Sequence, residues 1–324
     1  YEIVSNRTQK EHRTHFEVRH FHGLLGDLQI EVGLRVASES KEGHSDFEPQ
    51  DYAEPSSAEL DTTLGLVAEE SKYDAIYVDE VQDFDASWLT FLVGLLKPGG
   101  EMVIAGDLRQ DIYSRKQLDS SKLPFRGRWR QIHDTSERTP AVLVPFLNEF
   151  AARQSLGDHE DHKLEPKQEE MDFGTMMLWA NCASDEDLVN RAVKLVGFLM
   201  KKHGKHPESI AILVPSHQLG STLVEHLSRQ FGAETVQDVF GEEHRKKKRT
   251  FFMGGGKFKV STIHSFKGWD LETVIILWKA LPDPSASLLY TALTRSRVNV
   301  FVCNSDPSMA HYSTTFPRMA GPSN

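Results

Sequence analysis

Cysteine is nearly absent from this chain. The two present in 324 residues, Cys182 and Cys303, are far apart and outside any metal-ligand spacing, so both are expected to stay reduced, as in a cytoplasmic protein. Long apolar runs are missing too. The longest candidate, Val274 to Leu277 with Trp278, is the size of a strand rather than a membrane span. No secretory signal is visible. There is no initiator methionine; the chain opens at Tyr1 in mid-pattern, as expected of a fragment or a trimmed product. Positive charge is in the minority, and a net charge of −10 argues against a generally basic nucleic-acid coat. It leaves room for a local cationic track. The cluster His244-Arg245-Lys246-Lys247-Lys248-Arg249 reads equally as a solvated loop or a phosphate contact.

Apolar content of 39% and charged content of 26% describe an ordinary globular protein, and the length suggests two domains. Phe16-Glu17-Val18 reads as strand and Leu24 to Val32 as helix. Residues 38 to 60, rich in Ser, Glu, Asp and Pro, read as a surface loop. The periodicity from Trp88 to Leu96 predicts a helix stopped by Lys97-Pro98-Gly99-Gly100, and Glu101 to Ala105 predicts a strand. Strand, helix, strand is a parallel α/β signature. Thr139 to Ala152 reads as a helix with Pro140 in its first turn. The charged stretch 158 to 172 reads as a hydrated linker, with metal binding by His159, Asp161 and His162 the weaker alternative. Beyond it come strands at Thr175–Ala180, Ile210–Val214, Lys257–Ile263, Thr273–Trp278 and Val298–Cys303. Helices are expected at Asp185–Lys202, Gln218–Phe231 and Leu288–Arg295. The expected organisation is a first domain over 1–155, a linker over 156–172 and a second domain over 173–324.

The most informative segment is Tyr73-Asp-Ala-Ile-Tyr-Val-Asp-Glu-Val-Gln-Asp-Phe84. Its apolar run stops at two adjacent carboxylates, Asp79 and Glu80, as a buried parallel strand does when its carboxyl edge carries chemistry. One such acid can hold a hard cation, Mg²⁺, while the other takes a proton from an attacking water. Gln82 and Asp83 add contacts at the same edge. At the next strand tip stands Gly106-Asp107-Leu108-Arg109-Gln110-Asp111-Ile112-Tyr113, expected beside the acids. Gln110 can report on a phosphate or its attacking water, and Tyr113 offers a face for a nucleobase. A polar turn with a half-buried tyrosine is the plain alternative.

Lys259-Val-Ser-Thr262-Ile-His264-Ser265-Phe-Lys267-Gly268-Trp269-Asp270 runs from a strand into a polar loop. Thr262, His264 and Ser265 can donate to phosphates, Lys267 adds charge, and Gly268 permits close approach or a sharp turn. Alternatively, the hydroxyls satisfy their own backbone. Leu289 to Arg297 (LYTALTRSR) ends a helix with Arg295. That guanidinium either stabilises charge in phosphoryl transfer or lies on the surface near a helix end.

Taken in order, VDEVQD, GDLRQDIY, Arg138-Thr139, STIHSFKGWD and YTALTRS resemble the UvrD/Rep/PcrA family of superfamily 1 DNA helicases, and are similar to helicases fused to nuclease-related domains. The resemblance covers residues 16 to 303, with Phe21-His22 similar to an early family motif. It implies an α/β fold of two RecA-like, P-loop-type parallel-sheet domains, the first incomplete at its amino end, with ATP in a cleft and single-stranded or partly duplex DNA across the top. It further implies 3′ to 5′ translocation. Asp79 matches the Mg²⁺ ligand and Glu80 the base. Gln82 and Gln110 match links to the γ-phosphate, and Arg138 and Arg295 the two arginines that reach it. Asp107, Gly268 and Asp270 fall in the nucleotide-side motifs. His22, Tyr113, Thr262, His264 and Lys267 fall in segments of the DNA surface.

The family's phosphate loop, ending Gly-Lys-Thr or Gly-Lys-Ser, does not occur in this sequence. Gly254-Gly255-Gly256-Lys257 is followed by Phe258 and leads into a strand, so it reads as a turn. The expectation is a truncated motor whose loop lies upstream, in a fused or partner domain. Glu137, Arg115 and Trp269-Asp270 also depart from the family pattern and put base recognition in doubt. The spacing between Arg138 and Lys259 leaves no room for the family's large inserted module. Two other readings stay open: a non-hydrolysing module that binds single-stranded DNA or a protein, and a nuclease, which lacks a second acidic cluster.

Overall fold

The computed structural model describes residues 16–35, 54–112, 127, 135–136, 138–156, 163–166, 175–241, 247, 250–281 and 286–317. The chain divides into two compact units, Tyr1–Ala105 with Leu118–Arg126, and Gly106–Gln117 with Gly127–Asn324. Among the described residues no helix is long and apolar enough to cross a membrane.

The first unit contains helices α1 (Phe21–Glu31) and α2 (Ser57–Leu66), strand β1 (Tyr73–Val78), helix α3 (Ala86–Gly94) and strand β2 (Leu96–Ile104). Its core gathers Phe21, Leu25, Leu60, Trp88, Leu89, Phe91 and Leu95. Phe21 stacks on Trp88 at 4.3 Å between ring centroids. Helix α2 starts where the Ser56 hydroxyl accepts from the Glu59 amide, so the expected surface loop ends in a helix. β1 and β2 are parallel, with Val78 opposite Ile104. The expected helix stop at Lys97-Pro98-Gly99-Gly100 lies inside β2 instead of ahead of it. Tyr73 pairs with Leu96 and Ala75 with Glu101, so these residues form a bulge, where proline costs the ladder no hydrogen bond. Gly99 there has φ +83°, a left-handed value open to glycine. Phe16-Glu17-Val18 is not a strand; Phe16 and Val18 are exposed and nothing pairs with them among the described residues.

The second unit is built on a six-stranded parallel sheet. Ahead of it come β3 (Thr135–Ser136), α4 (Val144–Arg153) and β4 (Glu165–Pro166), with β3 and β4 pairing in parallel. Then follow β5 (Met177–Asn181), α5 (Asp185–His203), β6 (Ile210–Val214), α6 (His217–Phe231), β7 (Val236–Asp238), β8 (Phe258–Thr262), α7 (Ile263–Phe266), β9 (Leu271–Trp278), α8 (Ala286–Leu293), β10 (Ser296–Asn304) and α9 (Tyr312–Thr315). The sheet order is β5-β10-β9-β6-β8-β7. The α/β, parallel-sheet class expected of RecA-like domains is therefore the class observed. All of β6 is buried, as its unbroken aliphatic run demands. Helix α5 is capped by Ser184, whose hydroxyl accepts from the Asp187 amide, and carries acids in its first turn and Lys201, Lys202 and His203 in its last, matching its dipole. Strand β7 escaped the sequence reading because three residues carry no period.

Residues 138 to 156 fall in the second unit. Leu143, Phe146, Leu147 and Phe150 belong to the core of the second unit, where Phe146 lies 4.9 Å from Phe316 and 5.6 Å from Tyr312. The helix expected at Thr139–Ala152 begins as a single tight turn, Ala141–Leu143, before α4. His159, Asp161 and His162 lie outside the described residues, as does the basic cluster apart from Lys247, which pairs with Asp238 at 2.8 Å.

Ile275→Ala, at a fully buried site in β9, is expected to cost about 2–5 kcal/mol, read as a fall in the urea midpoint. Val103→Thr, at a position 49% exposed, is expected to change stability by no more than about 0.5 kcal/mol. Equal costs would contradict this burial.

Candidate functional site

In the first unit the ladder runs on past the strands: Ala105 N donates to Val78 O at 2.8 Å and Val81 N to Ala105 O at 2.9 Å. Between them the chain turns through Asp79 and Glu80. Glu80 has φ 54° and ψ 44°, a left-handed conformation that a non-glycine residue adopts at a cost. Only one other non-glycine residue, Ser155, shares a positive φ among the described residues. Strain of this kind collects where a side chain must be aimed. Asp79 Oδ1 accepts from the Glu80 amide at 2.9 Å, and Gln82 Nε2 donates to Glu80 Oε2 at 2.5 Å. Gln82 is buried, so a fixed amide orients the carboxylate. Asp79 is exposed, and its Oδ2 is available to a cation.

No group of three or more His, Cys, Asp or Glu side chains suited to a metal occurs among the described residues. A single exposed carboxylate does fit Mg²⁺, which keeps several waters and takes its remaining ligands from phosphate oxygens. His22 is half-buried, its ring edge-on to Trp88 at 4.9 Å.

The Asp107–Gln110 turn belongs to the second unit. Asp107 accepts from Arg109 N through Oδ1 at 3.0 Å and from Gln110 Nε2 through Oδ2 at 2.9 Å. Gln110 is held at two further points. Its Oε1 accepts from Arg295 Nη2 at 2.5 Å, and its backbone carbonyl accepts from Lys267 Nζ at 3.3 Å. Arg295 is 3% exposed, which removes the surface-arginine alternative. It also donates to Thr291 O at 3.1 Å and to Thr294 Oγ1 at 3.1 Å. Next to this group Tyr290 is fully buried, and its hydroxyl makes no hydrogen bond of good geometry. Burial pushes its phenol up to about 12, with Asp107 adding to the rise and Arg109 and Arg295 opposing it.

At the end of β8 the hydroxyls serve their own backbone. Thr262 Oγ1 accepts from Ser265 N at 3.1 Å and donates to Ser265 Oγ at 2.9 Å, capping α7. His264 is half-buried. Gly268 has φ +86°, so the turn there calls for glycine. Beyond it Asp270 pairs with Arg138 Nη1 at 3.3 Å and with the Arg297 guanidinium. Both arginines are exposed, at 59% and 62% of their side chains, around a buried Asp270 carboxylate at 9%. Tyr113, Arg115 and Glu137 lie outside the described residues. Arg297, Thr294 and Tyr290 were not singled out in the sequence, although Arg297 stands two positions from Arg295 in the same motif. Gly254, Gly255 and Gly256 form a turn with positive φ, as read from sequence. Gly256 N donates to Glu208 Oε2 at 3.0 Å. A carboxylate thus occupies the amide that an anion would need, and β8 follows instead of a helix, so this loop does not fit a nucleotide phosphate.

Glu80→Gly and Glu80→Ala both lose the bond to Gln82, but the glycine variant is expected to be the more stable by about 1 kcal/mol in denaturant titrations. Equal stabilities would contradict the left-handed turn. Tyr290 is raised above the unfolded value, so its contribution is intact below pH 10 and lost as pH rises toward about 12. Tyr290→Phe is expected to flatten that alkaline loss, read as melting temperature against pH, with little cost at neutral pH.

No family model matches the chain, and no curated protein matches it. Among solved structures it is similar to the C-terminal domain of a possible DNA helicase from Lactobacillus plantarum WCFS1, at 14% identity and a TM-score of 0.35, over 54% of this chain and 93% of that one.

Proposed function

We propose that this chain is the ATPase and translocase core of a UvrD-like DNA helicase acting on single-stranded DNA in the 3′ to 5′ direction, without its phosphate loop. The observation that carries the reading is the Arg295–Gln110 bond, which joins two motifs 185 residues apart. A buried guanidinium is costly unless paired. Here it is held by backbone and side-chain oxygens, in a form able to exchange a partner for a phosphate oxygen.

In this reading Asp79 holds Mg²⁺, which when bound neutralises phosphate charge. Glu80, aimed by Gln82, takes the proton of the attacking water. Arg295 and Arg138 donate to phosphate oxygens, Arg138 after leaving Asp270. Gln110 then reports the change through the Asp107 and Lys267 contacts. His264, His22 and Tyr113 are assigned to DNA, and the part of Thr262 is to cap α7. Lys267 has its ammonium on Gln110, so its part is to position that turn.

The rival is a non-hydrolysing module that binds single-stranded DNA. It is favoured by the Glu208 carboxylate on the triglycine turn. Both readings expect negligible ATP turnover from residues 1–324 alone, and robust turnover would overturn both. They differ in how nucleotide affects DNA. In fluorescence anisotropy with a labelled single-stranded oligonucleotide, the motor reading expects salt-sensitive binding that a non-hydrolysable ATP analogue with Mg²⁺ shifts. Arg295→Ala should abolish the shift. DNA affinity indifferent to nucleotide would select the binding module, and no DNA binding at low salt would sink both.

A further inference from the structure

The two cysteines that look unrelated in sequence meet in the fold. Strands β5 and β10 are parallel neighbours, with Ala180 opposite Cys303 and Asn181 opposite Asn304. Cys182 N donates to Asn304 O at 2.7 Å, which carries the ladder one residue past the end of β5. Residues two apart on a strand share a face. Cys182 therefore lies on the same face as Ala180 and Cys303, diagonal to the latter, with its Sγ donating to Ala180 O at 3.8 Å. Parallel neighbours lie about 4.8 Å apart and two residues rise about 6.6 Å, which puts diagonal Cα atoms about 8 Å apart, while a disulfide spans roughly 4.4–6.8 Å. Closure asks for roughly 1–3 Å of backbone movement, and Cys182, beyond the last residue of its strand, is placed to supply it.

The surroundings of the two differ. Cys303 is buried, while Cys182 is half-exposed. The Cys303 contact holds the Cys182 thiol below its ordinary value, with Arg191 helping and burial and Asp187 opposing. The same contact, together with burial, pushes Cys303 well up. Arg191, on α5, has a buried Nε without a hydrogen-bond partner among the described residues. Its side chain also lines a surface groove with Asp187, Lys194, Leu195 and Phe198.

We propose that Cys182 and Cys303 form a dithiol site oxidised by hydrogen peroxide, with Cys182 the attacking sulfur and Cys303 the resolving one. The Cys182 thiolate attacks one peroxide oxygen and the O–O bond breaks. Hydroxide leaves and is protonated to water, and Cys182 becomes a sulfenic acid. The Cys303 sulfur then attacks Cys182, the S–O bond breaks, and hydroxide departs with the Cys303 proton as a second water. Two thiols are oxidised to one disulfide while one peroxide is reduced to two waters. The bond would lock the carboxyl end of edge strand β5 to β10.

The test treats the full chain with peroxide, blocks remaining thiols with N-ethylmaleimide and maps tryptic peptides by mass spectrometry. The expected product links Gln168–Arg191 to Val298–Arg318, two hydrogens lighter than the separate peptides, and dithiothreitol reverses it. Cys303→Ser should replace the link with a dimedone-reactive sulfenic acid on Cys182. Arg191→Leu should slow link formation several-fold at neutral pH. Wild-type protein that gives only over-oxidised Cys182, only links between chains, or the internal link equally fast in urea would overturn the proposal. The wild-type map needs no variant to fold.

Discussion

Parallel strands cannot be joined by a tight turn, because each must return to the starting edge before the next begins. Every strand of such a sheet therefore delivers its carboxyl end to one side. That constraint organises each unit of this protein. In the first, Val78 and Ile104 end side by side and the chain turns at once through Asp79 and Glu80. In the second, β8 ends at Thr262 and passes directly into α7. The helices are the return paths, and their caps, Ser184 and Ser216, stand just past the strand ends. Reactive side chains gather at these edges because the crossovers leave loops there and core elsewhere.

The parts of the fold written in short-range pattern were legible. Ile210–Val214 is a run of aliphatics too short for a helix and too apolar for an edge, and it is a central strand. The strand tips carrying Asp79 and Thr262 were legible for the same reason. What failed depended on partners distant in sequence. Pro98 and Gly99 signal a break in any context, and only the pairing of Tyr73 with Leu96 turns them into a bulge. Phe16-Glu17-Val18 has strand composition and no neighbour to pair with among the described residues. Leu143, Phe146 and Phe150 advertise a buried face without saying which core receives it; aromatic partners more than 150 residues on, at Tyr312 and Phe316, decide that. The nearness of the two cysteines follows from strand order, which no local pattern states.

The candidate site was legible in residue type and less so in role. Thr262 and Ser265 have the chemistry to bind phosphate, yet each is occupied with the other at the start of α7. Lys267 has a charge to offer and places it on the Gln110 carbonyl. Such assignments depend on distances of a few ångströms between segments far apart in the chain, and periodicity carries no information about them. Gln110 is the clearest case: an ordinary glutamine in a polar turn, gripped by Asp107, Lys267 and Arg295 together.

The burial of Arg295 has a consequence for how such a site can be controlled. A lysine or histidine in that place would have a neutral form, and a rise in pH could silence it. The guanidinium remains protonated across the range in which proteins stay folded, so its charge is a constant of the fold. Any switch at Arg295 must be a change of partner or position, which makes it a mechanical element with a fixed charge and no titration of its own.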